Sequence, residues 1–181
     1  MRRMIEVVDD FYQNPQAVRA FALNNCAWTE QGLDRGRAES ARTHESFIGQ
    51  GALDRIAGLL GGEAESVAPR SGSGYFVFAG DPAGEPPEPR VEHALWMAVV
   101  YLTPAEHCSG GISFFRSSDR RSGEQAWVPD PWTETLHVSM RFNRMVLYRA
   151  SGVFHRDGPG FGSHPASGRI AQLFSFDKAP G

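Results

Sequence analysis

The sequence has little cysteine, no long hydrophobic run and no excess of one charge. Its 181 residues include only Cys26 and Cys108, which are too few for a disulfide framework and lack metal-ligand spacing. No window approaches the 18 consecutive apolar residues of a membrane span. The net charge of −3 is spread over segments of mixed sign and provides no basic surface for nucleic acid. We therefore expect neither a membrane partner nor a nucleic-acid partner.

The first residues also lack the pattern of a signal peptide. The segment "MRRMIEVVDDFY" has two arginines but no continuous apolar stretch behind them. With so few cysteines, a reducing cytoplasmic location is the expectation. The length suits one domain, 1–181, which we divide into a helical front, 1–73, and a stranded core, 74–181.

Two helix patterns and one short strand are predicted in the front part. Ile5–Val8 has the composition of a strand. In "NPQAVRAFALNN", Asn14 suits the cap of a helix and Pro15 suits its first turn. In "GALDRIAGLLGG", apolar residues recur at helical spacing and paired glycines follow, which predicts a second helix. The polar segment Trp28–Gly49 gives no assignment.

From residue 74 the chain changes to short runs rich in β-branched and aromatic residues. Glycine- and proline-rich turns separate them, which is typical of a β-sandwich or barrel. The turn "FNR" is expected to place Asn143 in left-handed geometry, and Gly110-Gly111 is expected to adopt positive φ. The segment "AGDPAGEPPEP" is expected to form a flap beside the barrel. The predicted class is mainly β with flanking helices.

The segment "YRASGVFHRDGPGFGSHPASGRIAQLFSF" carries the clearest functional signal. His155 ends one apolar run, and Arg169 opens the next, where it alternates with Ala171 and Leu173. A charge on a core strand is costly unless it is paired, so an inward Arg169 predicts a carboxylate or phosphate partner. A neutral imidazole in the same cavity could ligate a metal. The alternative is that His155 faces solvent and Arg169 forms a surface ion pair.

Several segments resemble the iron(II)/2-oxoglutarate-dependent dioxygenases, and most closely an uncharacterised bacterial family of that superfamily. They occur in the expected order and are "VVDDFYQNPQAVRAFAL", "WMAVVYLTPAEHCSGGISFFR", "RFNRMVLYRASGVFHR" and "GFGSHPASGRIAQLFSF". The resemblance implies a double-stranded β-helix, a cupin-like jelly-roll barrel. It further implies Fe(II) and 2-oxoglutarate as cofactors, with His155 as the distal iron ligand and Arg169 as the cosubstrate anchor. Tyr101, in "VVYLT", could hydrogen-bond the cosubstrate carboxylate.

The first two iron ligands are less clear. The resemblance places them in a His-x-Asp/Glu motif before the "YL" strand, where this chain has "PEPRVEHALWMAVVYL". His93 is followed two positions later by leucine rather than by an acid. Glu92 could take the first place instead, with alanine in the acid position, or Glu92 and His93 could both reach the metal through a bulge. Asp81 or Glu88 could supply the acid. A small residue in the acid position of the motif would suit a halogenase.

The predicted metal ligands are therefore His155, His93 and Glu92. The predicted function is an iron(II), 2-oxoglutarate-dependent oxygenase with an atypical ligand set, hydroxylating a small molecule or an amino-acid side chain. The alternative is an iron-deficient pseudo-oxygenase that keeps a small-acid-binding or interaction role. A homodimer is compatible with either function, and the sequence carries no signal that selects an oligomeric state.

Overall fold

A computed structural model describes residues 5–30, 41–61, 69–81, 87–117 and 132–177. Helix α1 spans Pro15–Asn24, and the Asn14 side chain caps it by accepting a hydrogen bond of 3.1 Å from the Ala17 amide. Helix α2 spans Gln50–Leu60 and ends at Gly61, whose φ of +82° is left-handed. Both predicted helices are confirmed. Among the described residues, no helix is long and apolar enough to cross a membrane.

Ten strands form two antiparallel sheets among the described residues. The large sheet has the order β1-β8-β5-β10-β4-β3-β2, and the small sheet has the order β7-β6-β9. The strands are β1 (Ile5–Val8), β2 (Trp28–Glu30), β3 (Ala41–Thr43), β4 (Tyr75–Ala79), β5 (Trp96–Tyr101), β6 (Gly111–Ser117), β7 (Trp132–Ser139), β8 (Met145–Tyr148), β9 (Phe154–Asp157) and β10 (Arg169–Phe176).

From β4 onward the chain passes back and forth between the two sheets. Strands β4, β5, β8 and β10 lie in the large sheet, whereas β6, β7 and β9 lie in the small one. A β-bridge between Arg90 and His155 adds one more short extended segment beside β9. This winding is a jelly roll, and the predicted double-stranded β-helix is confirmed.

The front part of the chain contributes more strand than predicted. Strand β1 pairs with β8 at one edge of the large sheet, and β3 pairs with β4 near the other edge. Strands β2 and β3 fall in the segment Trp28–Gly49, which the sequence left unassigned. Residues 82–86 of the predicted flap lie outside the described residues. Asn143 adopts a φ of +63°, which confirms the predicted tight turn.

The two faces of the large sheet bury two separate cores. On β10, Ile170 and Phe174 point to one face and Ala171 and Leu173 to the other, as the period of two requires. We call the face that packs against both helices the outer core, and the face toward the small sheet the inner core. The outer core includes Ile56 of α2. The candidate site lies in the inner core.

Candidate functional site

His155 lies on β9 of the small sheet and points into the barrel. It pairs with Phe114 of β6 on one side and with Arg90 on the other, and it is fully buried. Its ring lies 4.8 Å from the ring of Tyr148, centroid to centroid. Nδ1 is 3.4 Å from the carbonyl oxygen of Val153, whereas Nε2 has no hydrogen-bond partner in the described part of the chain. Nε2 is therefore the ring atom available to a ligand.

The surroundings of His155 favour its neutral form. Burial is the main reason that its pKa lies below the ordinary value, and the nearby charge of Arg90 acts in the same direction. Asp157 and Glu92 oppose this shift without reversing it. A neutral imidazole at pH 7 keeps one lone pair, so it can accept a hydrogen bond or ligate a metal.

Arg169 opens β10 and also points into the barrel. Only 5% of it is exposed, and its guanidinium lies over the Tyr101 ring, 5.8 Å from the centroid. Nη1 donates to the carbonyl oxygen of Gly158, and Nη2 donates to that of Gly111 at 3.3 Å. These carbonyl groups fix the direction of the guanidinium, but they carry no net charge to balance it.

Gly111 holds its carbonyl group in place because only glycine fits there. Its φ is +152° and that of Gly110 is +71°, which confirms the predicted positive-φ turn. A Cβ atom added to Gly111 would lie 2.0 Å from the carbonyl oxygen of Val138. The turn between β5 and β6 therefore supports Arg169 across the barrel.

Asp157 lies between two arginines. Its Oδ1 is 3.5 Å from Nη2 of Arg169, and its Oδ2 is 3.4 Å from Nη2 of Arg90. Burial alone would raise the pKa of this carboxyl, but Arg169 and Arg90 outweigh burial and hold it below the ordinary value. Asp157 is therefore ionised at neutral pH. Both contacts are long, and 31% of its side chain is exposed, so the carboxylate is loosely held.

Arg90 completes the group of charges. Its backbone exchanges two hydrogen bonds of 2.9 Å with His155, and its Nε donates to Glu92 Oε1 at 2.9 Å. Burial works against the charge of Arg90, but Asp157 and Glu92 overcome this and raise its pKa further. We call Arg90, Glu92, Asp157 and Arg169 the ion cluster. Its two cations and two carboxylates sum to zero charge.

Tyr101 lies beside the ion cluster on β5 and is fully buried. Its hydroxyl makes no hydrogen bond of acceptable geometry with any described residue, although the Arg169 guanidinium is close enough to favour its ionised form. Burial prevails and raises its pKa well above the ordinary value, so the phenol stays protonated. The hydroxyl can therefore donate a hydrogen bond to a ligand.

The predicted iron ligands are not brought together. His93 is exposed, whereas its neighbour Glu92 is largely buried and bonded to Arg90. Of the reserve acids, Asp81 is exposed and accepts a hydrogen bond from the Gly162 amide, and Glu88 is exposed. Within the described ranges, no three side chains of His, Cys, Asp or Glu are placed to hold a metal ion.

These residues do not fit a site of two histidines and one carboxylate. The bare Nε2 of His155 suits a metal ligand. The residue paired with His155 across the sheet, however, is Arg90, whose guanidinium is cationic and has no lone pair to donate. Glu92 already uses a carboxylate oxygen on that guanidinium. A divalent ion would face repulsion where it needs a donor.

Two residues of this site escaped sequence reasoning, Arg90 and Asp157. Asp157 shares the inward face of β9 with His155, because the two are separated by one residue. The sequence therefore contained the signal for Asp157. Arg90 lies two positions before Glu92, as histidine does before the acid in the expected His-x-Glu motif. The sequence therefore also contained a signal for Arg90.

Several solved structures resemble this chain in fold. It is similar to SnoN, a non-haem α-ketoglutarate-dependent epimerase of nogalamycin biosynthesis, at 16% identity with a TM-score of 0.55 over 98% of this chain and 80% of SnoN. SnoK, a carbocyclase of the same biosynthesis, gives 13% identity and 0.53 over 98% and 80%. A prolyl hydroxylase from Trichoplax adhaerens, solved with a peptide of hypoxia inducible factor, gives 12% and 0.53 over 96% and 83%.

Comparison of the amino-acid sequence with family models and curated proteins gives no match. No family model matches the chain, and no curated protein matches its sequence significantly. At identities this low, structural likeness establishes the fold alone. The chain therefore shares the double-stranded β-helix fold of these three structures, and the oxygenase superfamily and bacterial family expected from the sequence stay predictions.

Proposed function

We propose that the inner core binds a small carboxylic acid and does so without iron. Arg169 supplies the cation, and Tyr101 and His155 supply hydrogen-bonding groups. The observation that carries the proposal is that the Tyr101 hydroxyl and His155 Nε2 are buried in the inner core without partners among the described residues, and that the buried Arg169 guanidinium lies over the Tyr101 ring. Buried polar atoms are normally paired, so these two atoms and Arg169 suit a small polar ligand.

The charge balance dictates how such an acid binds. The four described members of the ion cluster carry no net charge together, so we expect an added carboxylate to replace one that is present. Asp157 is the one to leave Arg169, because its contact there is long and its side chain is partly exposed. It keeps its second partner, Arg90, after the exchange. The incoming acid then takes the open side of the Arg169 guanidinium.

The structural neighbours suggest which acid to try first. SnoN and SnoK are described as dependent on α-ketoglutarate, which is 2-oxoglutarate. This acid is the first probe. Pyruvate is the second probe, because it has the same keto-acid end with one charge fewer and so adds less negative charge to a neutral cluster.

The test is a calorimetric titration of each acid in the presence of a strong chelator. Arg169→Ala is expected to weaken binding about 10- to 100-fold, because it removes a charge-assisted hydrogen bond. Arg156→Ala is the matched control. Arg156 is the residue between His155 and Asp157, but it faces outward over the Phe115 ring and should leave affinity unchanged.

A second variant tests the exchange of carboxylates. Asp157→Asn removes the competing charge with little change of shape, and we expect acid affinity to rise about tenfold. Equal affinity of the wild type and the Arg169→Ala variant would refute the proposal. So would the absence of binding in the Asp157→Asn variant at millimolar acid.

Iron(II)- and 2-oxoglutarate-dependent oxygenation of a small molecule or an amino-acid side chain is the second candidate. The bare Nε2 of His155 favours it, since a distal iron ligand needs such an atom. The guanidinium of Arg90 counts against it. Succinate release from 2-oxoglutarate with iron(II) and ascorbate, lost in a His155→Ala variant, would establish iron-dependent oxidative decarboxylation and overturn the iron-free proposal.

A further inference from the structure

We infer that Arg90 takes the place of the first metal ligand and that its guanidinium is the cation at the metal position. The inference concerns the metal position and does not depend on acid binding at Arg169. Three observations carry it: the spacing of Arg90 and Glu92, the backbone pairing of Arg90 with His155, and the contacts of the Arg90 guanidinium.

The spacing reproduces the motif that the fold leads one to expect. Arg90-Val91-Glu92 has an acid two positions after its first residue, as His-x-Glu does, and it precedes the strand β5. The alternatives that began at Glu92 or His93 leave alanine or leucine in the acid position. Of these alignments, only the one that begins at Arg90 keeps a carboxylate where it is required.

The backbone pairing places Arg90 opposite the distal histidine. Arg90 N and His155 O are 2.9 Å apart, as are His155 N and Arg90 O, so the two residues form a hydrogen-bonded antiparallel pair. Directly opposed residues project from the same face of a sheet, with Cβ atoms about 5.5 Å apart. Arg90 and His155 therefore flank one position, as two ligands on neighbouring strands would.

The contacts of the guanidinium are those expected of a cation between acids. Nε donates to Glu92 at 2.9 Å, and Nη2 reaches Asp157 at 3.4 Å. The Arg90 guanidinium thus binds the carboxylate of Glu92 in its own motif and that of Asp157 on β9. A guanidinium stays protonated at any physiological pH, so it can never become a donor of electrons to a metal.

Arg90→His is the variant that tests the inference, because it would place a second imidazole beside Glu92 and His155 and so complete a set of three ligands. We expect the variant to bind cobalt(II) with one-to-one stoichiometry and at least 100-fold more tightly than the wild type. The visible absorption of cobalt(II) should change on binding, which reports ligation directly. Arg90→Gln is the matched control, since it removes the guanidinium without adding an imidazole, and it should bind no more tightly than the wild type.

Two outcomes would overturn the inference. The first is stoichiometric cobalt(II) binding by the wild type that is lost in His155→Ala. The second is a folded Arg90→His variant that binds cobalt(II) no better than Arg90→Gln. Circular dichroism establishes folding. If Arg90→His does not fold, the titration of the wild type against His155→Ala still decides, because the inference requires weak binding by both. The acid titrations contain chelator, so either proposal can fail alone.

Discussion

The two faces of the large sheet are built from the same strands, yet they treat buried polar groups differently. On the outer face, Gln172 is fully buried and its amide is fully used. Its oxygen accepts from the Tyr12 hydroxyl at 2.5 Å, and its nitrogen donates to the carbonyl groups of Phe47 and Gly74. On the inner face, the Tyr101 hydroxyl has no such partner among the described residues. The buried polar side chain of β10 is thus paired on the outer face, whereas the Tyr101 hydroxyl on the inner face is not.

This difference separates the polar groups that stabilise the fold from those that are available to a ligand. Gln172 joins β10 to the segment before α1 and to the loop before α2, so its polar atoms serve the fold. Trp96 Nε1, on the outer face, also lacks a partner among the described residues, so an unpaired atom alone does not mark a site. What distinguishes the inner face is that its unpaired atoms lie beside charged side chains.

The largest expected effect comes from the outer core. Phe174 is fully buried there and stacks with Phe176 at a centroid distance of 6.4 Å. Phe174→Ala should lower the free energy of unfolding by about 3–5 kcal/mol, because it removes a large apolar group and leaves a cavity. Urea denaturation measures this. Leu173→Ala, one residue away on the inner face and only half-buried, should cost clearly less; equal losses would contradict the comparison.

The second-largest loss of stability is expected on replacing Gln172, whose side-chain amide is fully hydrogen-bonded. Gln172→Leu keeps the size of the side chain but leaves the Tyr12 hydroxyl and the Phe47 carbonyl group without their partner. We expect the free energy of unfolding to fall by about 1–3 kcal/mol, since the unpaired groups stay buried. Denaturant midpoints at constant m-value measure the loss. An unchanged midpoint would show that the outer face is not held by this residue.

A third effect depends on pH and belongs to the inner face. Burial and Arg90 lower the pKa of folded His155 against the opposing Asp157, Glu92 and Val153 carbonyl group, whereas the unfolded chain takes up a proton near pH 6.5. The free energy of unfolding should therefore fall below that pH, by up to about 1.4 kcal/mol per pH unit. The measurement is the difference between wild type and His155→Asn. A difference independent of pH would contradict it.

The smallest effect compares two tyrosines. Tyr101→Phe removes an unpaired buried hydroxyl, so the free energy of unfolding should stay unchanged or rise by up to about 1 kcal/mol. Tyr12→Phe, on the outer side, removes a hydroxyl bonded to Gln172 and should lower it by about 1 kcal/mol. Thermal melting of both variants is sufficient. Two changes of the same sign would remove the distinction between the faces.

Much of this fold could be predicted from the sequence because local patterns and tertiary packing agree. The caps at Asn14 and Gly61, the turn at Asn143 and the β-rich runs from residue 74 all act through their immediate neighbours. Strands β2 and β3 were missed because three-residue strands carry too few side chains to show a period of two. Their pairing depends on β4, which lies far away in sequence.

The candidate site could be predicted only in part from the sequence, and the reason is different. The inward placement of Arg169 followed from alternation along its strand, whereas its position over the Tyr101 ring was not predicted. Glu92 and His93 were weighed as ligands without knowing which residue pairs with His155. That pairing sets the alignment of the whole segment, and it is a long-range contact that Arg90 makes through its backbone. No periodicity reports such a contact.

The glycine turn that leads into β6 has a consequence for anyone who wishes to alter this barrel. Because a carbonyl group at Gly111 directs the Arg169 guanidinium, the aim of that arginine is encoded partly in a backbone that tolerates no side chain. Directed evolution confined to pocket-lining positions would leave the orientation untouched, whereas remodelling the loop would turn the arginine without mutating it. The direction of this buried arginine is thus adjustable through the backbone where the turn enters β6.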